Sequence, residues 1–252
     1  MVSPHPRGSR ALVTRVTVLA VLLATACATD RPQHARTLPA DGARTLPADR
    51  DAPVRYVALG DSTVEGVGAS SPDHNYVSQL HERLRVVYPT ARVVNLGAGG
   101  ATSTDVLRRQ LDRAIELRPH LVTLSIGPND ITTRVPLTTY ERNLDTILAR
   151  LRDETPAVAV VNLIPDLVVT PRFRSHRERE TVGRQTVLFN EALERRSRAH
   201  GAELVDLYGA SQREVPVRPE LIGADGYHPS DVGYARWAEL VWAQIQARIA
   251  SR

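Results

Sequence analysis

The chain has a single cysteine, Cys27, so no disulfide can form within it. It also lacks a comfortable membrane span: the apolar run Val16 to Ala24 falls well short of the about 20 apolar residues that a transmembrane helix needs. Surplus charge is missing from the bulk of the sequence. Residues 1 to 52 hold seven arginines against four aspartates, whereas the remaining 200 residues hold 25 basic and 24 acidic side chains. That balance offers no excess of positive charge to track a phosphate backbone, so no nucleic-acid partner is expected. Neither glycine cluster completes a dinucleotide fingerprint, because Ser71 and Thr102 stand where Gly66-Val67-Gly68 and the Gly97 cluster would need their final glycine. There is no Gly-x-Ser-x-Gly elbow of the common α/β-hydrolase plan. The eight histidines show no close metal-ligand spacing, so neither a metal nor another cofactor is expected.

The two ends of the chain differ in character. Residues 1 to 27 read as an export signal: Arg7, Arg10 and Arg15 precede the apolar run, and the small residues Ala24, Thr25 and Ala26 precede Cys27. Cys27 stands where a lipoprotein signal places its lipidated residue, although Ala24 occupies a position where leucine is commoner; cleavage after Ala26 or Ala28 is the plainer alternative. The expected location is extracellular or in the cell envelope, with membrane attachment if Cys27 carries lipid. Residues 28 to 52 contain an imperfect duplication, Ala35-Arg-Thr-Leu-Pro-Ala-Asp41 and Ala43-Arg-Thr-Leu-Pro-Ala-Asp49, and read as a disordered tether. A single folded domain is expected over residues 53 to 252, with a monomer favoured.

Within that domain, short β-branched apolar runs alternate with longer amphipathic segments, the pattern of repeated βα units. The expected strands are Arg55 to Leu59, Arg92 to Leu96, His120 to Ile126, Ala157 to Leu163 and Glu203 to Leu207. Continuous apolar strands of this kind are covered on both faces. The expected helices are Tyr76 to Val87, Ser103 to Leu117, Thr138 to Arg152, Arg177 to His200 and Ser230 to Ile249, with Ser103, Thr138 and Ser230 as candidate N-caps. The result is a three-layer α/β/α sandwich on a five-stranded parallel sheet. Both tryptophans fall on or beside the apolar stripe of the last helix and read as core. The arginines between Arg172 and Arg198 alternate with Glu178, Glu180, Glu191 and Glu194, as on a solvated helix face.

Ligand sites in open parallel sheets lie beyond the carboxyl ends of the strands. Gly60-Asp61-Ser62-Thr63 follows the first strand, Gly97-Ala98-Gly99-Gly100 the second, and Gly127-Pro128-Asn129-Asp130 the third. Asp225-Gly226-Tyr227-His228 leads into the last helix. Singly, each block has a bland explanation as a turn, an Asx-turn or a helix start. If the strands are parallel, the first three blocks emerge on one sheet edge, and the fourth can reach it because the last helix must start there.

In these four blocks and their order the sequence resembles the SGNH or GDSL-type hydrolase superfamily, from about Pro53 to the C-terminus. The resemblance implies a flavodoxin-like sandwich and a serine ester hydrolase. By it Ser62 is the nucleophile, His228 the general base and Asp225 the residue that orients it. The backbone N–H groups of Ser62 and Gly97 and the side chain of Asn129 would form the oxyanion hole. Thr63 and Pro128 depart from the commoner residues at their positions without removing a functional group. A serine hydroxyl needs an imidazole to take its proton, the imidazole needs a carboxylate to hold its tautomer, and the developing oxyanion needs preorganised donors. The expected partner is a small-molecule ester, its choice set by the loops Pro165 to Ser175 and Gln212 to Leu221. These have neither an aromatic cluster for sugar stacking nor a long apolar lid, which favours small acyl groups. A thioesterase or carbohydrate deacetylase of the same superfamily, or a non-catalytic envelope lipoprotein that binds a ligand in this cleft, are the competing readings.

Overall fold

The computed structural model describes residues 44–174 and 177–251. Five strands form one parallel sheet: β1 (Arg55–Gly60), β2 (Arg92–Asn95), β3 (Leu121–Ser125), β4 (Val158–Asn162) and β5 (Glu203–Val205), in the order β2-β1-β3-β4-β5. The helices are α1 (Ser62–Glu65), α2 (Tyr76–Val87), α3 (Ser103–Asp105), α4 (Leu111–Glu116), α5 (Pro128–Thr132), α6 (Leu137–Glu154), α7 (Pro171–Arg174), α8 (Arg179–Ala199), α9 (Leu207–Glu214) and α10 (Asp231–Ala247). This is the expected α/β/α sandwich.

Alternation along the strands divides the core. Val57, Leu59, Val122, Leu124 and Val161 point to one face, where Leu144, Leu148 and Phe189 of α6 and α8 cover them. Tyr56, Ala58, Leu121, Val158 and Val160 point to the other, beneath Leu80 and Leu84 of α2 and Tyr234, Ala238 and Val241 of α10. Fully burying each large apolar side chain stabilises the fold by about 1.5–3 kcal/mol, so both helix layers are needed.

Three local expectations are corrected. The domain does not begin at Pro53: Leu46, in the second copy of the duplicated segment, is 1% exposed and forms a parallel bridge with Ile249. Arg44 donates to Arg152 O, one of the carbonyls that the end of α6 leaves without a helical partner, and to Thr155 O (2.7 Å) and Ala157 O (3.1 Å) in the segment that follows. Long-range partners of this kind, invisible to local composition, order residues 44–52. Second, α3 is capped by Thr102, not Ser103; Asp105 Oδ2 accepts from both the N–H and the hydroxyl of Thr102. Pro136 precedes α6 where Thr138 was expected to cap it, while Ser230 does cap α10, accepting from Gly233 N–H at 3.2 Å. Third, the single helix expected over Ser103 to Leu117 is interrupted by a π turn, Val106–Gln110. The segments expected to be a signal and lipidation site, Met1 to Cys27, lie outside the described residues. No helix among those described is long and apolar enough to cross a membrane.

Candidate active site

The first strand ends in a sharp turn that only glycine permits. Gly60 has φ +145°, and a Cβ there would sit 2.0 Å from Ser125 O. Its N–H donates to Gln110 Oε1 (2.9 Å) and its carbonyl accepts from Gln110 Nε2 (2.8 Å), so a buried side-chain amide clamps the backbone directly before the active-site residues. Gln110 is the last residue of the π turn, in keeping with the frequent placement of such bulges at functional sites. Asp61 then caps α1, its Oδ1 accepting from the N–H (2.9 Å) and hydroxyl (2.8 Å) of Thr63. Burial raises the Asp61 carboxyl to about 6 against those bonds. Ser62 follows as the first residue of α1.

Its hydroxyl meets His228. Nε2 of that ring lies 2.9 Å from Ser62 Oγ, and Nδ1 lies 2.5 Å from Asp225 Oδ2. The second carboxylate oxygen of Asp225 accepts from the N–H groups of Tyr227 (2.9 Å) and His228 (3.0 Å), so one side chain both shapes the loop and orients the ring. Burial pushes the Asp225 carboxyl up, but the bonds from the His228 ring and these two N–H groups prevail and hold it below the usual carboxylate range. Tyr227 packs edge-on against His228 at 5.0 Å, and the Arg172 guanidinium lies 5.0 Å from the Tyr227 ring centroid. The remaining described histidines are engaged elsewhere: His74 with Asp231, His81 with Ala91 O, His120 with Arg55 N–H and His200 with Asp145.

Asn129 lies at the start of α5, in the cleft that Ser62 and His228 also line. Its Nδ2 donates to Ala101 O at 3.0 Å, which uses one of its two hydrogens. The neighbouring Asp130 is fully buried and accepts from the N–H (2.9 Å) and hydroxyl (2.6 Å) of Ser103, whose hydroxyl in turn accepts from Asn143 Nδ2 (3.0 Å). Burial raises the Asp130 carboxyl to about 6 in spite of these bonds. This network fixes the loop that carries Asn129.

Gly97, expected to offer its N–H to an oxyanion, here donates that N–H to Asn95 Oδ1 (2.9 Å). A Cβ at Gly97 would come within 2.5 Å of Glu65 N and 2.6 Å of Val64 Cβ, so close packing against α1 by itself accounts for the glycine. Ser62 and Asn129 both line the cleft. The sequence pattern missed Gln110, which stands mid-helix with no marker of an inward turn, and Tyr227, which sits between two residues that were singled out.

On the other side of Ser62 the two loops expected to govern substrate choice do meet. Pro165, Leu167 and Val169 from one, and Glu214, Val215 and Leu221 from the other, line an apolar cavity of about 80 Å³ that opens beside Ser62 and His228. Trp237, expected only as core, both packs against Tyr76 at 5.8 Å and lines this cavity.

A parallel sheet whose carboxyl edge joins a serine, a histidine and an aspartate through hydrogen bonds belongs, by class, with the serine hydrolases. Residues 58–236 match the model of the GDSL-like lipase/acylhydrolase family, and the chain belongs to that family. It is accordingly an enzyme of the esterase and lipase type. No curated protein matches the sequence. Among solved structures, it is similar to an α/β hydrolase from the metagenome of Lake Arreo, Spain, with a TM-score of 0.65 and 23% identity, over 79% of this chain and 98% of that one. An acetylxylan esterase from Geobacillus stearothermophilus aligns with a TM-score of 0.64 and 21% identity, over 80% of this chain and 98% of its own. A lipase/acylhydrolase from Enterococcus faecalis gives 0.63 and 22% over 79% and 98%. At this identity the three share the fold.

Proposed function

We propose that the chain is an exported serine hydrolase that cleaves carboxylic esters through an acyl-enzyme on Ser62. The observation that carries this reading is the continuous chain of hydrogen bonds from Asp225 through His228 to Ser62 Oγ. Nε2 of His228 takes the hydroxyl proton as Ser62 Oγ attacks the ester carbonyl carbon. The carbonyl π pair moves to oxygen, where Ser62 N–H and Asn129 Nδ2 hold the oxyanion. Collapse of the intermediate breaks the bond to the alkoxy oxygen, which leaves as alcohol with the proton from Nε2. Water then repeats the sequence on the acyl-enzyme, releasing the acid and restoring Ser62. Asp225 accepts from Nδ1 and so keeps Nε2 free of hydrogen in the resting state. Gly97 N–H would join the donors only by exchanging Asn95 Oδ1 for the oxyanion.

The cavity beside Ser62 favours acyl groups longer than the acetyl unit removed by an acetylxylan esterase, and its apolar lining suits alkyl chains of short to medium length. Export rests on the signal-like pattern that ends at Cys27. Turnover of p-nitrophenyl esters of graded chain length tests the reading. Activity should peak above the acetate and vanish in Ser62→Ala; equal rates in the variant would refute the assignment. Palmitate labelling that is lost in Cys27→Ser tests the lipid anchor, and wild-type protein found wholly in the culture medium would exclude it.

A further inference from the structure

The cavity beside Ser62 holds one group that its apolar lining does not explain. Asn162, the last residue of β4, is 1% exposed, lines the cavity, and has no hydrogen-bond partner for either side-chain atom among the described residues. The charged groups of the same lining are all satisfied. Asp166 accepts from Val168 N–H and Gln212 Nε2, and Glu214 is paired with Arg236 at 2.9 Å. Two other buried amides at this level of the fold have both side-chain atoms bonded: Gln110 on Gly60, and Asn190, which accepts from Ile164 N–H (2.8 Å) and donates to Ile164 O (2.9 Å). Buried amides without partners are costly and rare in native proteins, and one that persists in a cavity beside a reacting group points to a ligand that completes it.

The sheet register locates it. Gly60 pairs with Ser125, the next residue after the Leu124–Val161 pair is the row Ser125 and Asn162, and Asn162 pairs with Val205. Asn162 therefore lies two strands, about 10 Å, from the β1 exit that carries Ser62. Ile164 and Leu167 line the same cavity as that amide and Ser62.

We propose that Asn162 is a specificity-determining residue, which makes the acyl pocket select medium-length chains bearing an internal hydrogen-bonding group, such as a keto, hydroxyl or amide function, over plain alkyl chains. An amide offers two donors and an acceptor, so it serves each of these. A site built to bond a polar group disfavours the analogue that lacks it, because the protein group is then left unpaired. The assignment rests on the hydrolase reading only for the identity of the chain in the pocket.

The test compares p-nitrophenyl pentanoate, hexanoate and heptanoate with esters of the same lengths carrying an oxo group at carbon 4, 5 or 6. For at least one position the wild type should favour the oxo ester by tenfold or more in kcat/KM. Asn162→Leu should abolish or reverse that preference by lowering kcat/KM for the oxo ester while that for the plain alkyl ester holds or rises, and its Tm should equal or exceed the wild type, since the change removes a buried unpaired group. Asn162→Ala provides a second variant should leucine not fold. Equal treatment of oxo and alkyl esters by the wild type would overturn the proposal. So would a parallel loss on both substrates with a lowered Tm, which is the behaviour of a merely structural amide. Calorimetric titration of Ser62→Ala with free 5-oxohexanoate and hexanoate separates the two readings. If no ester is turned over, the hydrolase assignment fails, yet tenfold tighter binding of the oxo acid, lost on adding Asn162→Leu, would still sustain the pocket assignment; equal affinities or no binding would end it.

Discussion

The two halves of the sheet's carboxyl edge are built differently. At β1 and β3 the polar groups near Ser62 are bonded before any substrate arrives: Gln110 holds both backbone groups of Gly60, Ser103 and Asn143 hold the Asp130 loop, and Asp225 receives bonds from the His228 ring and two N–H groups. At β4 the exit is equally well clamped by Asn190 on Ile164, but one turn of the pleat earlier Asn162 faces an apolar cavity with neither of its side-chain atoms bonded to any described residue. On the function and pocket proposed above, the first is a preorganised catalytic half, with the geometry of the reacting groups held by rigid supports, and the second a pocket half completed by what enters it. On that proposal rate and selectivity belong to different strands, and a substitution in one half should then move one quantity with limited effect on the other.

The largest expected effect lies in the catalytic half. His228→Ala should lower kcat by about 10⁴-fold or more, and adding Ser62→Ala should cost little further, because residues that act as one unit are not additive. Near-normal turnover of the folded single variant would dissolve the division at once. Asn129→Ala should lower kcat by about a hundredfold with KM little changed, since its donor acts chiefly on the transition state. A change confined to KM would move Asn129 to substrate binding.

Stability separates the two halves by sign. Gln110→Leu strands the buried N–H of Gly60 and leaves its carbonyl with Ala98 N–H alone (3.2 Å), and should destabilise the domain by about 2–4 kcal/mol in urea unfolding, whereas Asn162→Leu should not destabilise it. Equal losses for the two would erase the contrast between a satisfied and an unsatisfied amide.

The smallest expected effect is in the pH dependence. Asp61 and Asp130 are raised to about 6 by burial, so each contributes stability that is present below about pH 4 and lost as pH rises through 6. The unfolded carboxyls ionise first, which draws the equilibrium toward unfolding. Asp61→Asn keeps the oxygen that caps Thr63 and removes the ionisation, so the fall in urea-unfolding free energy from pH 4 to 7 should shrink by about 2–3 kcal/mol. An identical slope in wild type and variant would show that Asp61 ionises in the fold at its ordinary range.

Much of this architecture was legible because the signals are local. Strands buried on both faces read as continuous apolar runs, and a helix such as α2, whose limits Tyr76 and Val87 agree with expectation, announces itself by the spacing of its apolar residues. Asp225 and His228 are three residues apart on one loop, so their pairing needs no knowledge of the rest of the chain. Features that depend on distant partners were not legible. Leu46 is buried only because Ile249 and the neighbouring core lie against it, Gln110 bonds Gly60 from the end of a π turn, and the Gly97 N–H is taken by Asn95. Trp237 reads as core from its stripe, and the cavity it also lines exists only where two loops meet.

By itself the sequence determined which chemistry is available: a serine after the first strand, an aspartate and histidine before the last helix, an asparagine after the third strand, and apolar strands that must be covered on both faces. Tertiary structure decided which of those groups face one another. Ser62 and His228 are 166 residues apart and meet at 2.9 Å only because parallel order brings the strand exits to one edge. It also decided which buried polar groups are satisfied, since a hydrogen bond needs both partners within about 3 Å and in line, a condition that no spacing along the chain can express.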